Sequence, residues 1–132
     1  MASTLTAAAG NRLVILRNVP TVQATPDYSS GDLVGGKQEL ANAVERANGA
    51  GRIVGIMVTN AAGIAGVAMT AVFFNADPSG TTFTENGALA IADADLAKVI
   101  DVVPLAVTDF TSNPNSILKP AAKPEIDFVL TG

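Results

Sequence analysis

Two apolar stretches, Arg52-Ile-Val-Gly-Ile-Met-Val-Thr59 and Val67-Ala-Met-Thr-Ala-Val-Phe-Phe-Asn75, decide the fold class that the sequence predicts. Both are rich in β-branched and aromatic residues, and the segment between them, residues 60–66, is typical of a turn. Together, residues 53–76 form 24 uncharged residues, a length that would also suit a membrane-spanning helix. The polar residues and glycines inside this stretch favour two strands joined by a loop. Because both faces are apolar, we expect the two strands to pair with each other, either in the middle of a sheet or under a covering element.

Shorter strand signals lie on both sides of this pair. They predict strands or extended pieces over 13–16, 19–23, 32–36, 81–84, 99–105 and 125–130. Asp93 is a good N-cap for one helical turn over 93–97. Helix propensity favours a helix over 38–47, but the strand-like neighbours lead us to prefer a strand there. Seven or eight short strands with one short helical turn are typical of an all-β protein, a β-sandwich or jelly roll.

The two ends of the chain differ from its middle. Residues 1–12 mix Ser, Thr and Ala without a positively charged region, so they predict a flexible arm rather than a secretion signal. Residues 13–108 contain most of the strand signals and predict one β-sandwich domain. In residues 109–132, prolines and asparagines interrupt the chain before its last strand. We therefore predict extended terminal arms. The C-terminal arm is expected to be a long irregular connection that ends in a paired strand.

The composition excludes several classes of function. Cysteine and histidine are absent, which rules out disulfides, Cys/His zinc sites, cysteine nucleophiles and any triad with an imidazole base. Hydrophobic residues make up 48% of the 132 residues and charged residues 15%, so the chain is not intrinsically disordered. The basic residues are spread singly and the net charge is −4. We therefore expect no nucleic acid partner. We also expect no membrane partner, because residues 53–76 are interpreted as two strands joined by a loop.

The acidic residues are the only candidates for catalysis. Four of them lie within nineteen positions: Asp77, Glu85, Asp93 and Asp95. A glycosidase would also need aromatic platforms for the sugar, and the chain has one tyrosine and no tryptophan. The segment from Asp93 lacks the further oxygen ligands and the glycine of a calcium loop, and no Lys-Ser/Thr pair follows the glycines of 31–36. We predict no catalytic residue, no metal, no cofactor and no enzymatic activity.

Three phrases of the sequence resemble a known family. They are Tyr28-Ser-Ser-Gly-Asp-Leu-Val-Gly-Gly36, Ala71-Val-Phe-Phe-Asn-Ala-Asp-Pro-Ser-Gly-Thr-Thr-Phe-Thr-Glu-Asn86 and Ile91-Ala-Asp-Ala-Asp-Leu-Ala-Lys-Val-Ile100. Their order, over about residues 13–105, is similar to that in the small proteins that decorate or cement the capsids of tailed bacteriophages. The resemblance implies a jelly-roll or β-sandwich protomer without catalysis, which binds the outer capsid surface and cements neighbouring major capsid proteins. The stretch from Asp109 departs from the longer apolar β-region of that family.

The same resemblance implies partners and a location. The partners would be the major capsid protein and a second copy of the chain, with a homodimer favoured over a homotrimer. The protein would be made in the host cytoplasm and would end on the outer surface of the virion capsid. Low charge density and small apolar side chains suit extensive interfaces, and terminal arms can order on binding.

We expect the capsid and oligomer contacts in the N-terminal arm and in the tail. The expected residues are Leu5, Asn11, Phe110, Ile117, Leu118, Ile126, Phe128 and Leu130. Alternatively, Phe128 and Leu130 complete the core of the protomer itself. The alternative function is a surface-displayed phage fibre or adhesin-type β-sandwich recognition module, which would need an exposed aromatic or polar pocket.

Overall fold

The computed structural model describes residues 3–6, 12–23, 25–44, 48–60, 67–111, 116–118 and 125–131. These residues contain nine strands: β1 (Ser3–Thr6), β2 (Arg12–Ile15), β3 (Ala50–Ile53), β4 (Thr59–Asn60), β5 (Met69–Phe74), β6 (Val99–Leu105), β7 (Phe110–Thr111), β8 (Ser116–Leu118) and β9 (Ile126–Val129). A single α-helical turn, α1 (Asp93–Leu96), lies where the sequence predicts one, and a 3-10 turn follows at Val107–Asp109. The described chain is therefore all-β, as predicted. No helix in it is long and apolar enough to cross a membrane.

All strand pairs of the described residues are antiparallel. β5 pairs with β6 from Met69 opposite Leu105, with a shift of register between Phe73 and Phe74. β3 pairs with β9 from Ala50 opposite Val129. The remaining ladders are β1 with β2, and β4 and β7 on either side of β8. The chain thus builds small ladders whose partners are often far apart in sequence.

The prediction that 52–59 and 67–75 pair with each other is wrong. The first stretch contributes β3, which pairs with β9, and β4, which pairs with β8. The second stretch contributes β5, which pairs with β6. The physical reason is that an apolar strand is satisfied by any apolar partner of suitable length, and the seven-residue β6 offers β5 a long one.

Two other predicted elements do not form. Residues 19–23 are not a strand: Val19 is 95% exposed and Pro20 has no N–H to donate to a ladder. Residues 38–44 form neither helix nor strand: 38–40 are irregular and 41–44 form a turn and a bend, because Asn42 adopts a φ of 62° that interrupts both patterns. Residues 45–47 of that prediction lie outside the described part of the chain. Residues 81–84 are likewise not a strand.

The chain divides into two compact units that are discontinuous in sequence. Unit 1 comprises residues 1–47 and 79–96, and unit 2 comprises residues 48–78 and 97–132. Ser3–Thr6, inside the predicted N-terminal arm, forms strand β1 of unit 1. The predicted division at residues 12 and 108 stays a prediction.

Few side chains of the described residues are fully buried. In unit 2 these are Leu105 and Ile126, which are 5% and 4% exposed, together with Pro78. In unit 1 they are two polar residues, Thr81 and Asp95. The deepest point described in unit 1 is therefore a hydrogen-bonded polar pair rather than an aliphatic cluster.

Candidate functional site

Parts of two of the phrases that carry the family resemblance lie against each other in unit 1. Leu33 donates its N–H to the carbonyl of Gly87, and its own carbonyl accepts the N–H of Asn86, both at 2.9 Å. Asp32 and Ala88 form the bridge of this short antiparallel contact. A stretch from the first phrase and a stretch from the second are thus joined backbone to backbone. We call the following residues the loop cluster: 26–36 and 81–89.

The glycines of the first phrase are required by backbone conformation. Gly31, Gly35 and Gly36 have φ values of 93°, 81° and 67°, in the left-handed region that favours glycine. Gly35 also lies so close to Pro20 that a Cβ on it would be 2.2 Å from the proline Cβ. The spacing of glycines in this phrase therefore sets the path of the loop and allows residue 20 to approach it.

The Glu85 carboxylate is the centre of the loop cluster. It accepts hydrogen bonds from the Tyr28 hydroxyl, from the Gln23 N–H at 3.2 Å and from the Gly35 N–H. The Tyr28 hydroxyl also accepts the Gln23 N–H at 3.0 Å. One acidic side chain thus holds three points of the chain that lie 50 or more residues before it.

These contacts shift the pKa values of Glu85 and Tyr28 in opposite directions. The Tyr28 hydroxyl, and then the backbone N–H groups of Gln23, Gly35 and Gly36, hold the pKa of Glu85 below its ordinary value. The same hydrogen bond to Glu85 raises the pKa of Tyr28. A general acid needs a raised carboxyl pKa, which is the opposite of what Glu85 has. The arrangement is that of a cross-link between loops.

Further contacts tie the ends of the loop cluster. The side-chain amide of Asn86 donates to the Pro26 carbonyl at 2.7 Å, and Asn86 itself has a φ of 55°. The Gln38 side chain donates to the Gly35 carbonyl. The Lys37 ammonium lies 6.0 Å from the centre of the Phe83 ring, at the outer limit of a cation–π contact.

A second polar network supports the cluster from inside unit 1. The Thr81 hydroxyl donates to the Asp95 carboxylate at 2.8 Å and accepts the N–H of Ala92 at 3.1 Å. Thr81 is 8% exposed and Asp95 is 1% exposed. Because Ala92 directly precedes α1, this network fixes the start of the helical turn to the beginning of the phrase 81–86.

The four predicted acidic candidates have separate roles. Glu85 and Asp95 are the acceptors just described, and Asp93 is exposed at the first position of α1. Asp77 is exposed in unit 2, where its carbonyl accepts the Lys98 ammonium at 2.7 Å. In the described part of the chain, no three acidic side chains lie together as a metal site would need.

The expected contact residues near the N-terminus and in β7 and β8 lie in paired strands. Leu5 lies opposite Leu13 in the β1–β2 ladder. Phe110 of β7 is half-buried and lies opposite Leu118 of β8, and Ile117 belongs to the same strand. Asn11 lies outside the described residues. Their role as capsid or oligomer contacts stays a prediction.

The expected contact residues at the end of the chain belong to β9 and its continuation. Ile126 is buried, and the Phe128 ring lies over Gly51 of β3. Leu130 is half-buried and donates its N–H to the Gly49 carbonyl at 3.0 Å. This is the arrangement expected if the last strand completes the core of the protomer, the alternative that the sequence left open.

Sequence reasoning did not identify Tyr28 and Glu85 as a pair. The available signal was that both lie inside phrases of the resemblance, next to glycine- or asparagine-containing turns. No family model, no curated protein and no solved structure matches this chain. The interpretation of the loop cluster therefore depends on its own geometry.

Proposed function

We propose that the protein is a non-enzymatic structural component of a bacteriophage virion. It binds the outer surface of the capsid and cements neighbouring major capsid proteins. The proposal begins from the three phrases that resemble capsid decoration proteins. It is supported by the loop cluster, in which parts of two of these phrases are joined by hydrogen bonds and by the Glu85 carboxylate.

The observation that carries the proposal is the imbalance between buried and exposed apolar side chains. A chain of this length can bury roughly two-thirds of its unfolded surface. Among the side chains whose burial the structure describes, however, Leu105 and Ile126 are the only large aliphatic ones that are fully buried. The exposed large hydrophobic residues are Ile15, Val19, Val22, Val34, Leu40, Val54, Met57, Val67, Leu96, Val102, Val107 and Val129. Apolar surface of this extent is typical of a chain that is completed by partners.

One group of these exposed hydrophobic residues lies in the loop cluster or beside it. Pro20 packs against Gly35, and the Asn18 side chain donates to the Glu39 carbonyl at 2.9 Å. These contacts bring Val19 and Val22 to the same part of unit 1 as two other exposed residues. We call the four exposed residues the apolar patch: Val19, Val22, Val34 and Leu40.

The segment 17–22, which contains Val19 and Val22 of the apolar patch, also has backbone groups that are available for hydrogen bonds to a partner. Within the described chain, the carbonyl groups of these residues, and the backbone N–H groups of all of them except Pro20, which has none, form no hydrogen bond. An extended segment of the capsid protein could pair with them by strand addition while its side chains meet the patch. We propose this segment and the tail residues Phe110, Ile117 and Leu118 as capsid or oligomer contacts.

The proposal includes the finer architecture. The ladders of units 1 and 2 belong to a β-sandwich or jelly-roll protomer, which associates as a homodimer, with a homotrimer as the alternative. Many copies on a symmetric lattice supply the affinity through multivalency rather than through one strong site.

Sedimentation with empty capsids tests the proposal. The purified protein should form a stable oligomer by light scattering and should pellet with capsids. The Val19→Asp/Val22→Asp variant should lower the bound fraction about tenfold, because it places charges in the apolar patch. The matched control is Val107→Asp, which changes an exposed valine of unit 2. A monomer that never pellets would overturn the proposal, and binding to a glycan array instead would favour the recognition module.

A further inference from the structure

The sequence contains two chemically identical Asn-Gly pairs, Asn48-Gly49 and Asn86-Gly87. In such a pair the backbone nitrogen of glycine can attack the asparagine side chain, because glycine has no side chain to hinder the approach. Both asparagines adopt a left-handed φ, of 54° and 55°. The φ angles therefore do not distinguish the two asparagines, whereas the hydrogen bonds around them do.

At the second pair, hydrogen bonds hold both the leaving group and the attacking nitrogen. The side-chain nitrogen of Asn86, the leaving group, donates to the Pro26 carbonyl at 2.7 Å. The attacking nitrogen, that of Gly87, donates its proton to the Thr84 carbonyl at 3.2 Å. The Asn86 N–H is bonded to Leu33 as well. Local opening must break these bonds before the ring can close.

Asn48 has none of these constraints. It is exposed, and neither its side chain nor the Gly49 N–H forms a hydrogen bond with the described residues. Within the described residues, the hydrogen bond at this pair is made by the Gly49 carbonyl, which accepts the Leu130 N–H at 3.0 Å and takes no part in the reaction. The nucleophile and the leaving group are both available in the folded protein.

We propose that Asn48 is a site of spontaneous deamidation in the folded protein and that Asn86 is protected. The Gly49 nitrogen bonds to Cγ of Asn48, the bond from Cγ to the side-chain nitrogen breaks, and ammonia leaves with the proton from Gly49. Water then adds to either carbonyl of the resulting succinimide and opens the ring to aspartate or isoaspartate. No oxidant, reductant or enzyme is required.

The modification changes the junction before β3. Isoaspartate places an extra methylene in the backbone directly before Gly49, whose carbonyl anchors Leu130 after β9. Aged protein should therefore show faster hydrogen exchange at the Leu130 amide than fresh protein. The contacts of the loop cluster in unit 1 should keep their exchange rates.

Peptide mapping after prolonged incubation at mildly alkaline pH tests the inference. Trypsin cleavage after Arg46 and Arg52 releases residues 47–52, in which Asn48 is the only amide side chain. In folded protein, deamidation should be about tenfold or more faster at Asn48 than at Asn86, since each hydrogen bond at Asn86 must open first. In denaturant the two sites should react at similar rates.

The Asn48→Gln variant is the matched control, because its longer side chain closes the ring poorly while keeping the amide. It should lose the deamidation product from 47–52 and should keep the slow Leu130 exchange after ageing. Equal rates at the two sites in the folded protein would overturn the inference. So would an unmodified Asn48 in folded protein that deamidates only in denaturant.

Discussion

Residues 20 and 35 can approach each other closely because Gly35 has no Cβ. Gly35→Ala combines a φ of 81° with a Cβ that would overlap the rigid Pro20 ring. Left-handed backbone and overpacking together should lower the free energy of unfolding by about 3 kcal/mol. Urea denaturation of the purified variant measures this loss.

Gly31 provides the control for that substitution. Its φ is 93°, but a Cβ there would meet no atom within 4 Å. Gly31→Ala should therefore cost only the conformational part, about 1–2 kcal/mol. Equal losses for the two variants would show that the close approach of Pro20 does not matter.

The Tyr28–Glu85 pair makes stability depend on pH in two windows. The lowered pKa of Glu85 contributes stability that is present above its ordinary pKa of 4.5 and is lost as pH falls through the folded pKa. The raised pKa of Tyr28 contributes stability that is present below 10.0 and is lost as pH rises through the folded pKa. The stability of the loop cluster should therefore fall in two separate pH ranges, one acidic and one strongly alkaline.

The chain has one tyrosine and no tryptophan, so absorbance reports this pair directly. The tyrosinate band of the folded protein should appear with a midpoint above 10.0, and Glu85→Gln should move that midpoint down because the charged acceptor is gone. Denatured protein serves as the reference. An unchanged midpoint in Glu85→Gln would contradict the hydrogen bond.

We expect the Thr81 side chain to contribute more to the free energy of unfolding than its small size suggests. Thr81→Val keeps the shape but removes the donor to the buried Asp95 carboxylate and the acceptor of the Ala92 N–H. We expect a loss of about 2 kcal/mol in the free energy of unfolding. The exposed neighbour Thr82, changed to Val, should shift it by less than about 0.5 kcal/mol. Similar values for both variants would show that the network contributes little.

The β3–β9 ladder joins the two strands in different ways on its two faces. On one face Arg52 and Asp127 lie opposite each other and form two hydrogen bonds, of 2.5 and 2.9 Å. This exposed pair holds the pKa of Asp127 below its ordinary value. On the other face the Phe128 ring covers Gly51, where a Cβ would lie 2.7 Å from the ring. Apolar contact and ion pair thus set the same register.

Gly51→Ala should push the Phe128 ring off the strand. We expect a loss of about 1–3 kcal/mol in thermal or urea unfolding, whereas Gly55→Ala, with open space around it, should change stability by less than about 0.5 kcal/mol. Adding Phe128→Leu to Gly51→Ala should recover about 1 kcal/mol relative to the sum of the single changes. Strict additivity would mean that the ring does not contact residue 51.

The secondary-structure elements that could be predicted from the sequence are those whose own residues favour them. The strand 99–105 has six apolar residues and Asp101, and it matches β6. The final strand matches β9 within one residue at each end. Strand partners were not predictable, because β3 and β9 carry no pairing code beyond apolar alternation. The glycine turns of 28–36 were predictable from residue type, but the bond from Tyr28 to Glu85 spans 57 positions and has no local signal.

At the level of the whole chain, each unit depends on two separated segments. Residues 1–47 lack Thr81, Glu85 and Asp95, which supply the central contacts of unit 1. A peptide of residues 1–47 should therefore remain unfolded, with near-ultraviolet dichroism of Tyr28 equal to that in denaturant. A native-like signal from this peptide would show that 79–96 is dispensable for unit 1.

The interleaving of the two units has a consequence for how a ribosome delivers the chain. Residues 48–78, which belong to unit 2, leave the exit tunnel before residues 79–96 arrive to complete unit 1. The first segment of each unit therefore stays incomplete while part of the other unit is synthesised. Unit 1 can close once residue 96 has been released, whereas unit 2 must wait for β9 at residues 126–129, so the order of synthesis sets the order in which the two units close.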